Sequence, residues 1–156
     1  MKTGTMRLRE LAIRYSAMKD GAGHPLCVNR LIASASDCAT ILSTLLCDEA
    51  AEVFAILCLS TKHRLIAYHE VSRGALDATL VHPREVFKAA LLANAAAIIL
   101  AHNHPSGDPT PSLDDLALTQ RLVHVGQIIG IDVLDHVIVG DGRWASLLEA
   151  GRIASR

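Results

Sequence analysis

Apolar residues in this chain occur in two patterns, unbroken runs of strand length and stripes at helical spacing. Runs with few polar interruptions predict strands buried within a sheet. They occupy residues 51–59, 64–71, 95–100 and 131–139. Residues 74–81 are mixed, and either a strand or an irregular crossing fits them. A Gly140-Asp141-Gly142 turn then leads to a short strand and a helical turn over residues 144–151.

Three apolar stripes with a period near 3.6 predict helices between these strands. They cover residues 36–47, 83–94 and 112–130. In the first helix Ser36 is the predicted N-cap, and Asp37 is favourable beside the N-terminus. Pro83 suits the first position of the second helix, and Gly130 suits the end of the third. We therefore predict an α/β (α+β) fold in which helices flank a mixed, mostly antiparallel sheet.

Two histidines follow the run at residues 95–100. Side chains two apart in a strand point to the same face, so His102 and His104 converge while Asn103 turns away. Ser112 and Asp115 form a capping box, which places Asp115 in the first helical turn, able to point back at the strand end. Two imidazoles and one carboxylate can thus meet, as in catalytic zinc sites that keep a position for water. Simpler explanations stay open, because His-x-His pairs are common without metal and capping alone accounts for the serine and aspartate.

Composition limits the classes of partner. The chain has 156 residues, which suits one main domain at 36–156 after an N-terminal helix and linker at 1–35. The 15 basic and 16 acidic side chains nearly cancel, so nucleic acid is not an expected partner of this domain alone. Residues 1–19 are basic and could touch nucleic acid, although the solvated face of a short amphipathic helix is the favoured explanation.

The cysteines indicate a reducing compartment. Cys27, Cys38, Cys47 and Cys58 are nine to eleven residues apart, so none forms the close pair of a zinc ribbon or a redox motif. The sequence has no recognisable secretory signal and no run of membrane-spanning length. We expect a cytoplasmic protein with reduced thiols and no membrane association. A homo-oligomer stays open, because the sequence does not determine the oligomeric state.

The spacing of the polar residues resembles a known motif. His-x-His followed after seven residues by Ser-x-x-Asp is similar to the metal motif of the JAMM metalloproteases of the JAB/MPN superfamily. Longer words resemble its RadC-like branch, namely His-Asn-His-Pro-Ser-Gly-Asp-Pro, Val71-Ser72-Arg73-Gly74, His82-Pro83-Arg84-Glu85-Val86-Phe87 and Asp135-His136. The resemblance extends roughly from Glu52 to the C-terminus. It implies the JAB/MPN (cytidine-deaminase-like) architecture.

The resemblance also implies a metal site. One Zn²⁺ per chain would be held by His102, His104 and Asp115. Asp108 is a nearby loop carboxylate that could substitute as a ligand, whereas Asp114 is better explained as a solvated charge at the helix start.

An implied activity accompanies the site. Glu52 matches the upstream glutamate that acts as general base, in preference to Glu49 and Glu70. Ser112 would donate a hydrogen bond to the oxyanion. The expected reaction is hydrolysis of a peptide or isopeptide bond in an unidentified peptide or protein, by a water that the metal activates.

Two polar residues interrupt the apolar run at 131–139. Strict alternation places His136 with Leu134 and Ile138, and Asp135 with Val133 and Val137. Buried polar side chains need partners, and a hydrogen bond to a ligand histidine is one way to satisfy Asp135. We therefore name both Asp135 and His136 as candidates for a place directly behind the metal ligands. A structural partner elsewhere fits equally well.

Two other functions stay open. The first is a non-catalytic JAB/MPN interaction module, and the second is a DNA-repair-associated protein, as the historical RadC-like name suggests. Longer RadC-like proteins carry a helix-hairpin-helix region ahead of this domain, and we expect none in this sequence. The letters His-Asn-His also occur in HNH nucleases, but there the motif residues are dispersed, and few aromatic residues are available here for stacking on bases.

Overall fold

The computed structural model describes residues 29–46, 48–74 and 81–154. Within them, three helices and five strands follow one another along the chain. They are α1 (Ala35–Leu46), β1 (Val53–Leu59), β2 (Leu65–Arg73), α2 (Pro83–Leu92), β3 (Ala97–Asn103), α3 (Leu113–Ile129), β4 (Asp132–Gly140) and β5 (Arg143–Ser146). The sequence predicts each of these elements, with ends that differ by at most three residues.

The strands form one mixed sheet in the order β2-β1-β3-β4-β5. Only β3 and β4 pair in parallel, and the other three pairings are antiparallel. This confirms the predicted α/β fold with a mostly antiparallel sheet. Every residue of β1 and β3 is buried, as expected for inner strands whose two faces are both covered.

Helices cover both faces of the sheet. On one face, α2 and α3 pack on Phe54, Ile56 and Leu100. On the other, α1 packs through its buried stripe on Leu57 and Ala101. The core is thus two apolar layers separated by the sheet. The metal-motif residues lie at the edge of these layers, where β3 ends and α3 begins.

The ends of the helices follow local rules, with one error in our prediction. Pro83 is the first residue of α2, and Gly130 ends α3 with φ of 82°, both as predicted. Ser36, however, is not the N-cap of α1. It lies inside the helix, because Ser34 and Asp37 form the capping interaction instead, with Asp37 Oδ2 accepting from the N–H and hydroxyl of Ser34.

Strict alternation along β4 was also a wrong prediction. The pairing with β3 shifts so that Ile98 lies opposite Val133 while Ile99 lies opposite Asp135, which leaves Leu134 as an extra residue. Val133 therefore belongs to the α2/α3 side of the sheet and Leu134 to the α1 side. His136 does not share a face with Leu134, nor Asp135 with Val133.

Several predictions fall outside the described residues. These are the amphipathic helix and basic stretch within residues 1–19, the nature of residues 75–80, and the state of Cys27 and Cys47. The boundary at residue 35 also stays a prediction. Cys38 and Cys58 are buried free thiols, and burial raises the pKa of both, to about 12 for Cys58. Among the described helices, none has the length and apolar character that crossing a membrane requires.

Candidate metal centre

The site forms where three elements meet. β3 carries His102 and ends at Asn103, so His104 is the first residue beyond the strand. β1 begins one residue after Glu52, and Phe54 in β1 lies opposite His102 in β3. The fully buried ring of His102 stacks on Phe54, with 6.2 Å between centroids and an angle of 21° between planes.

The two motif histidines point their Nε2 atoms at each other, 2.8 Å apart. Two carboxylates border them. Asp115 places Oδ1 3.3 Å from Nε2 of His102 and Oδ2 3.6 Å from Nε2 of His104. Glu52 places Oε1 3.9 Å from Nε2 of His104. Glu52, His102 and His104 can bring one ligand atom each within 4.8 Å of the others and could hold a metal ion.

A chain of hydrogen bonds determines where the protons lie. The hydroxyl of Thr119 is 2.6 Å from the carbonyl oxygen of Asp115, which can only accept, so Thr119 donates to it. Thr119 Oγ1 must then accept from Nδ1 of His136, at 2.6 Å. Neutral His136 consequently accepts at Nε2, 2.8 Å from Nδ1 of His102, which must carry the hydrogen. The Nε2 atom of neutral His102 is left with a lone pair.

The same reasoning applies to His104. Its Nδ1 lies 2.7 Å from the carbonyl oxygen of Asp108 and must donate to it, so Nε2 of neutral His104 also has a lone pair. Burial keeps the other two rings neutral, because it lowers the pKa of His102 to about 4 and that of His136 well below its ordinary value.

The positions of the ring hydrogens leave two nitrogen lone pairs available to bind a cation. In the neutral state the 2.8 Å contact between His102 and His104 brings two lone pairs together without a hydrogen between them. This contact is repulsive until a cation lies beside both atoms. Since Asp115 and Glu52 add negative charge at the same point, the donor set fits a divalent metal ion.

Asp115 takes part in the cap of α3 and also lies beside the two histidines. Its Oδ2 accepts from the N–H and the hydroxyl of Ser112, each at 2.7 Å, while its own N–H donates to Ser112 Oγ. This is the predicted capping box, and it holds the carboxylate at the positive end of α3. The hydroxyl hydrogen of Ser112 is thus donated to Asp115 and must turn away before it can meet an oxyanion.

Other acidic residues near the motif lie away from the histidines. The guanidinium of Arg73 donates to both Glu49 and Glu70, which leaves Glu52 as the upstream carboxylate beside His104. Asp108 approaches His104 through its carbonyl oxygen, whereas its carboxylate accepts from the N–H and hydroxyl of Thr110.

Of the two polar residues in β4, His136 contacts a motif histidine. Asp135 does not, and the role suggested for it beside a ligand histidine is corrected. Its carboxylate accepts from the hydroxyl of Ser146 at 2.6 Å and from the N–H groups of Leu148 and His136. The extra residue in β4 explains this, because it turns Asp135 toward the α1 side of the sheet.

Thr119 is a residue of the site that the sequence did not predict. The available signal was its position four residues after Asp115, where a helical hydroxyl reaches the carbonyl one turn earlier. Its second partner, His136, comes from another element. Helical spacing alone therefore could not have revealed the link.

Comparison with known proteins agrees with this architecture. The family model of the RadC-like JAB domain matches residues 32–152. The chain belongs to this family.

Relatives share the matched region. A UPF0758 protein of Methanosarcina barkeri is 46% identical over 122 residues, which cover 78% of this chain and 53% of that protein. One of Methanococcoides burtonii is 50% identical over 125 residues, 80% of this chain and 55% of that protein. One of Alkaliphilus oremlandii is 57% identical over 98 residues, 63% of this chain and 42% of that protein. The chain thus spans about half the length of the curated relatives it matches, and their shared name specifies no activity.

Proposed function

We propose that this protein is a zinc-dependent metallopeptidase that hydrolyses a peptide or isopeptide bond in a protein substrate. One observation carries the proposal. The Nε2 atoms of His102 and His104 lie 2.8 Å apart, and in each neutral ring the hydrogen is on Nδ1. Two carboxylates, those of Asp115 and Glu52, lie beside these Nε2 atoms.

His102, His104 and Asp115 would hold the ion. Two imidazoles and a carboxylate are the ligands of many catalytic zinc sites, which keep a fourth position for water or substrate. When bound, zinc supplies Lewis acidity that polarises the scissile carbonyl and makes water a better nucleophile at neutral pH. His136 holds the ring of His102 in the required tautomer.

Glu52 would move the proton. Its side chain is 24% exposed, and Oε1 is 3.9 Å from Nε2 of His104, beside the position of the ion. It would accept a proton from the attacking water at Oε1 and deliver that proton to the leaving amine. The hydroxyl of Ser112 would turn away from Asp115 Oδ2 and donate to the oxyanion. Asp115 Oδ2 would still accept a hydrogen bond from the N–H of Ser112.

Elemental analysis tests the metal site. The full chain is purified without a histidine tag, as wild type and as His104→Ala and Asp115→Ala. We expect about one zinc per wild-type chain and its loss in both variants. Wild type that contains no metal and takes up none from added zinc would refute the hydrolase.

Activity is tested next with a panel of peptide and isopeptide substrates. Glu52→Gln is the matched variant, because it removes the proton acceptor and preserves the shape of the side chain. Cleavage by wild type that Glu52→Gln abolishes, with zinc content retained, supports the mechanism. Equal cleavage by the two proteins would remove Glu52 from it.

A further inference from the structure

Asn103 lies between the two histidines and faces the other way. Its side chain lies on the α1 side of the sheet, where it lines a polar cavity together with Ser43 and Leu46. The residue is 4% exposed. A buried amide must find partners for two N–H donors and one carbonyl, because each group left without one destabilises the fold.

All of these partners come from one short segment, residues 49–53, which contains Glu52. Oδ1 of Asn103 accepts from the N–H of Val53 at 2.8 Å. Nδ2 donates to the carbonyl oxygens of Glu49 and Ala51, at 3.2 and 3.0 Å. These bonds flank Glu52 on both sides.

The backbone of β3 does not reach this segment. Pairing between β1 and β3 begins at Phe54 opposite His102, so no strand pairing with β3 holds the residues before Phe54. The side chain of Asn103 continues the pairing in place of the backbone. On the other side, the carbonyl oxygen of Glu52 accepts from the N–H of Gly74 at 2.8 Å.

We propose that Asn103 is a positioning residue that sets the place of Glu52 beside the metal held by its two neighbours in sequence. The inference rests on the proposed function. The tripeptide His102-Asn103-His104 would then have two roles. Its histidines would bind the metal, and its asparagine, on the opposite face of the strand, would position the proton acceptor Glu52.

The amide group explains why asparagine suits this position. Aspartate in its ionised form could still accept from Val53 but would face the carbonyl oxygens of Glu49 and Ala51 without a hydrogen to donate. Leucine has a similar shape and would stay buried, but it would lose all three hydrogen bonds. The two replacements test the amide in different ways and keep the number of side-chain heavy atoms the same.

The experiment measures the position of the segment relative to the ion. The full chain is isotopically labelled and loaded with Co²⁺ in place of zinc, and the displacements of backbone amide NMR signals by the paramagnetic ion are recorded. In Asn103→Leu and Asn103→Asp we expect these displacements to change at Glu52 and Val53 and to stay the same in the first turn of α3. In Asn103→Leu the amide hydrogen of Val53 should exchange about tenfold faster, because its buried hydrogen bond is lost.

Ser146→Ala is the matched control. Ser146 is 5% exposed, and its replacement by alanine removes the hydrogen bonds of its hydroxyl with Asp135 and with the N–H of Glu149. Neither of these partners belongs to the 49–53 segment. We expect wild-type displacements at Glu52 and Val53 in this variant, even if its free energy of unfolding falls as much as that of the Asn103 variants.

The failures are distinguishable. If wild type binds no Co²⁺, the proposed function fails and this inference fails with it. If wild type binds the ion but both Asn103 variants retain its displacements at Glu52 and Val53, Asn103 only fills space, and the inference alone is overturned. Equal changes in Ser146→Ala would also overturn it, because loss of stability would then explain the shift.

Discussion

Nε2 of His136 lies 2.8 Å from Nδ1 of His102, in a fully buried contact between β4 and β3. The bond orients the ring of His102 and keeps its hydrogen on Nδ1, so that the Nε2 atom, which faces His104, keeps its lone pair. Thr119 holds His136 in turn. The candidate metal centre thus depends on His136, a residue that is not itself placed to bind an ion.

Replacement of His136 by Phe should weaken zinc binding. The ring of His102 would lose the acceptor for its Nδ1 hydrogen, and loss of such a partner typically reduces metal affinity about 10- to 100-fold. Competition with a chromophoric chelator measures the affinity. Thr119→Val, which removes both hydrogen bonds of the Thr119 hydroxyl but leaves the bond between His136 and His102, should show a smaller loss. Wild-type affinity in His136→Phe would show that the tautomer does not matter.

Ser112→Ala and Asp115→Ala should separate capping from metal binding. Both variants lose the capping box of α3, at a cost of about 1 kcal/mol each. Only Asp115→Ala also removes a carboxylate from the two Nε2 atoms. Urea unfolding should therefore give similar losses in chelator, whereas zinc content should fall in Asp115→Ala alone. Loss of zinc from both variants would show that the helix end, rather than the carboxylate, retains the ion.

Acid should destabilise the metal-free protein through its buried histidines. The pKa of His102 falls from 6.5 to about 4 on folding, and that of His136 also falls well below its ordinary value. Below pH 6.5 the unfolded chain binds protons at these rings that the folded chain does not bind. Stability is therefore complete above pH 6.5 and decreases as the pH falls toward about 4.

Urea unfolding across this pH window, in the presence of chelator, measures the effect. His136→Gln should reduce the slope, because it removes one of the two groups. His69→Gln, at an exposed position on β2, is the control for the loss of a histidine that is not buried. A wild-type stability that stays flat across the window would contradict the prediction.

Gly140→Ala should disturb the loop that follows the histidines. A Cβ atom at residue 140 would lie 2.8 Å from the backbone carbon and oxygen of Gly107, and the N–H of Gly107 bonds to the carbonyl of His104. We expect a loss of about 1–3 kcal/mol in urea unfolding, together with weaker zinc binding.

Gly130→Ala is the comparison variant. Its Cβ would meet no atom within 4 Å, and only the positive φ of 82° is unfavourable, at roughly 1 kcal/mol. Zinc affinity should stay at the wild-type level. A similar loss of zinc from both glycine variants would mean that reduced stability alone explains the effect of Gly140→Ala.

Most of the predictions that the structure confirms were based on local features of the sequence. The apolar run before His102 gave the buried strand β3, and Ser112 with Asp115 gave the start of α3. Because the strand, the loop and the helix are consecutive, both histidines and Asp115 were expected to converge, and their side chains do meet. Hydrophobic periodicity and capping are properties of neighbouring residues, so they can be read directly from the chain.

Other features depended on pairing between distant segments. Ser36 was the predicted N-cap of α1, but Ser34 caps the helix, since both serines suit the position and only the fold selects one. It offered Asp135 a role beside a ligand histidine, because alternation cannot anticipate the extra residue in β4.

For the described residues, the sequence by itself determined the order and type of the elements, the buried faces of the inner strands, and the convergence of two histidines and one aspartate. The family resemblance had favoured Glu52 over Glu49 and Glu70, but only the tertiary structure brings Glu52 to 3.9 Å from His104, while Arg73 binds Glu49 and Glu70. The tertiary structure also decided which ring nitrogen carries the hydrogen in His102 and His136. Thr119, His136 and His102 come together only when α3, β4 and β3 pack. Hydrogen bonds between segments far apart in the chain require both strand register and helix packing, and these emerge only in the complete fold.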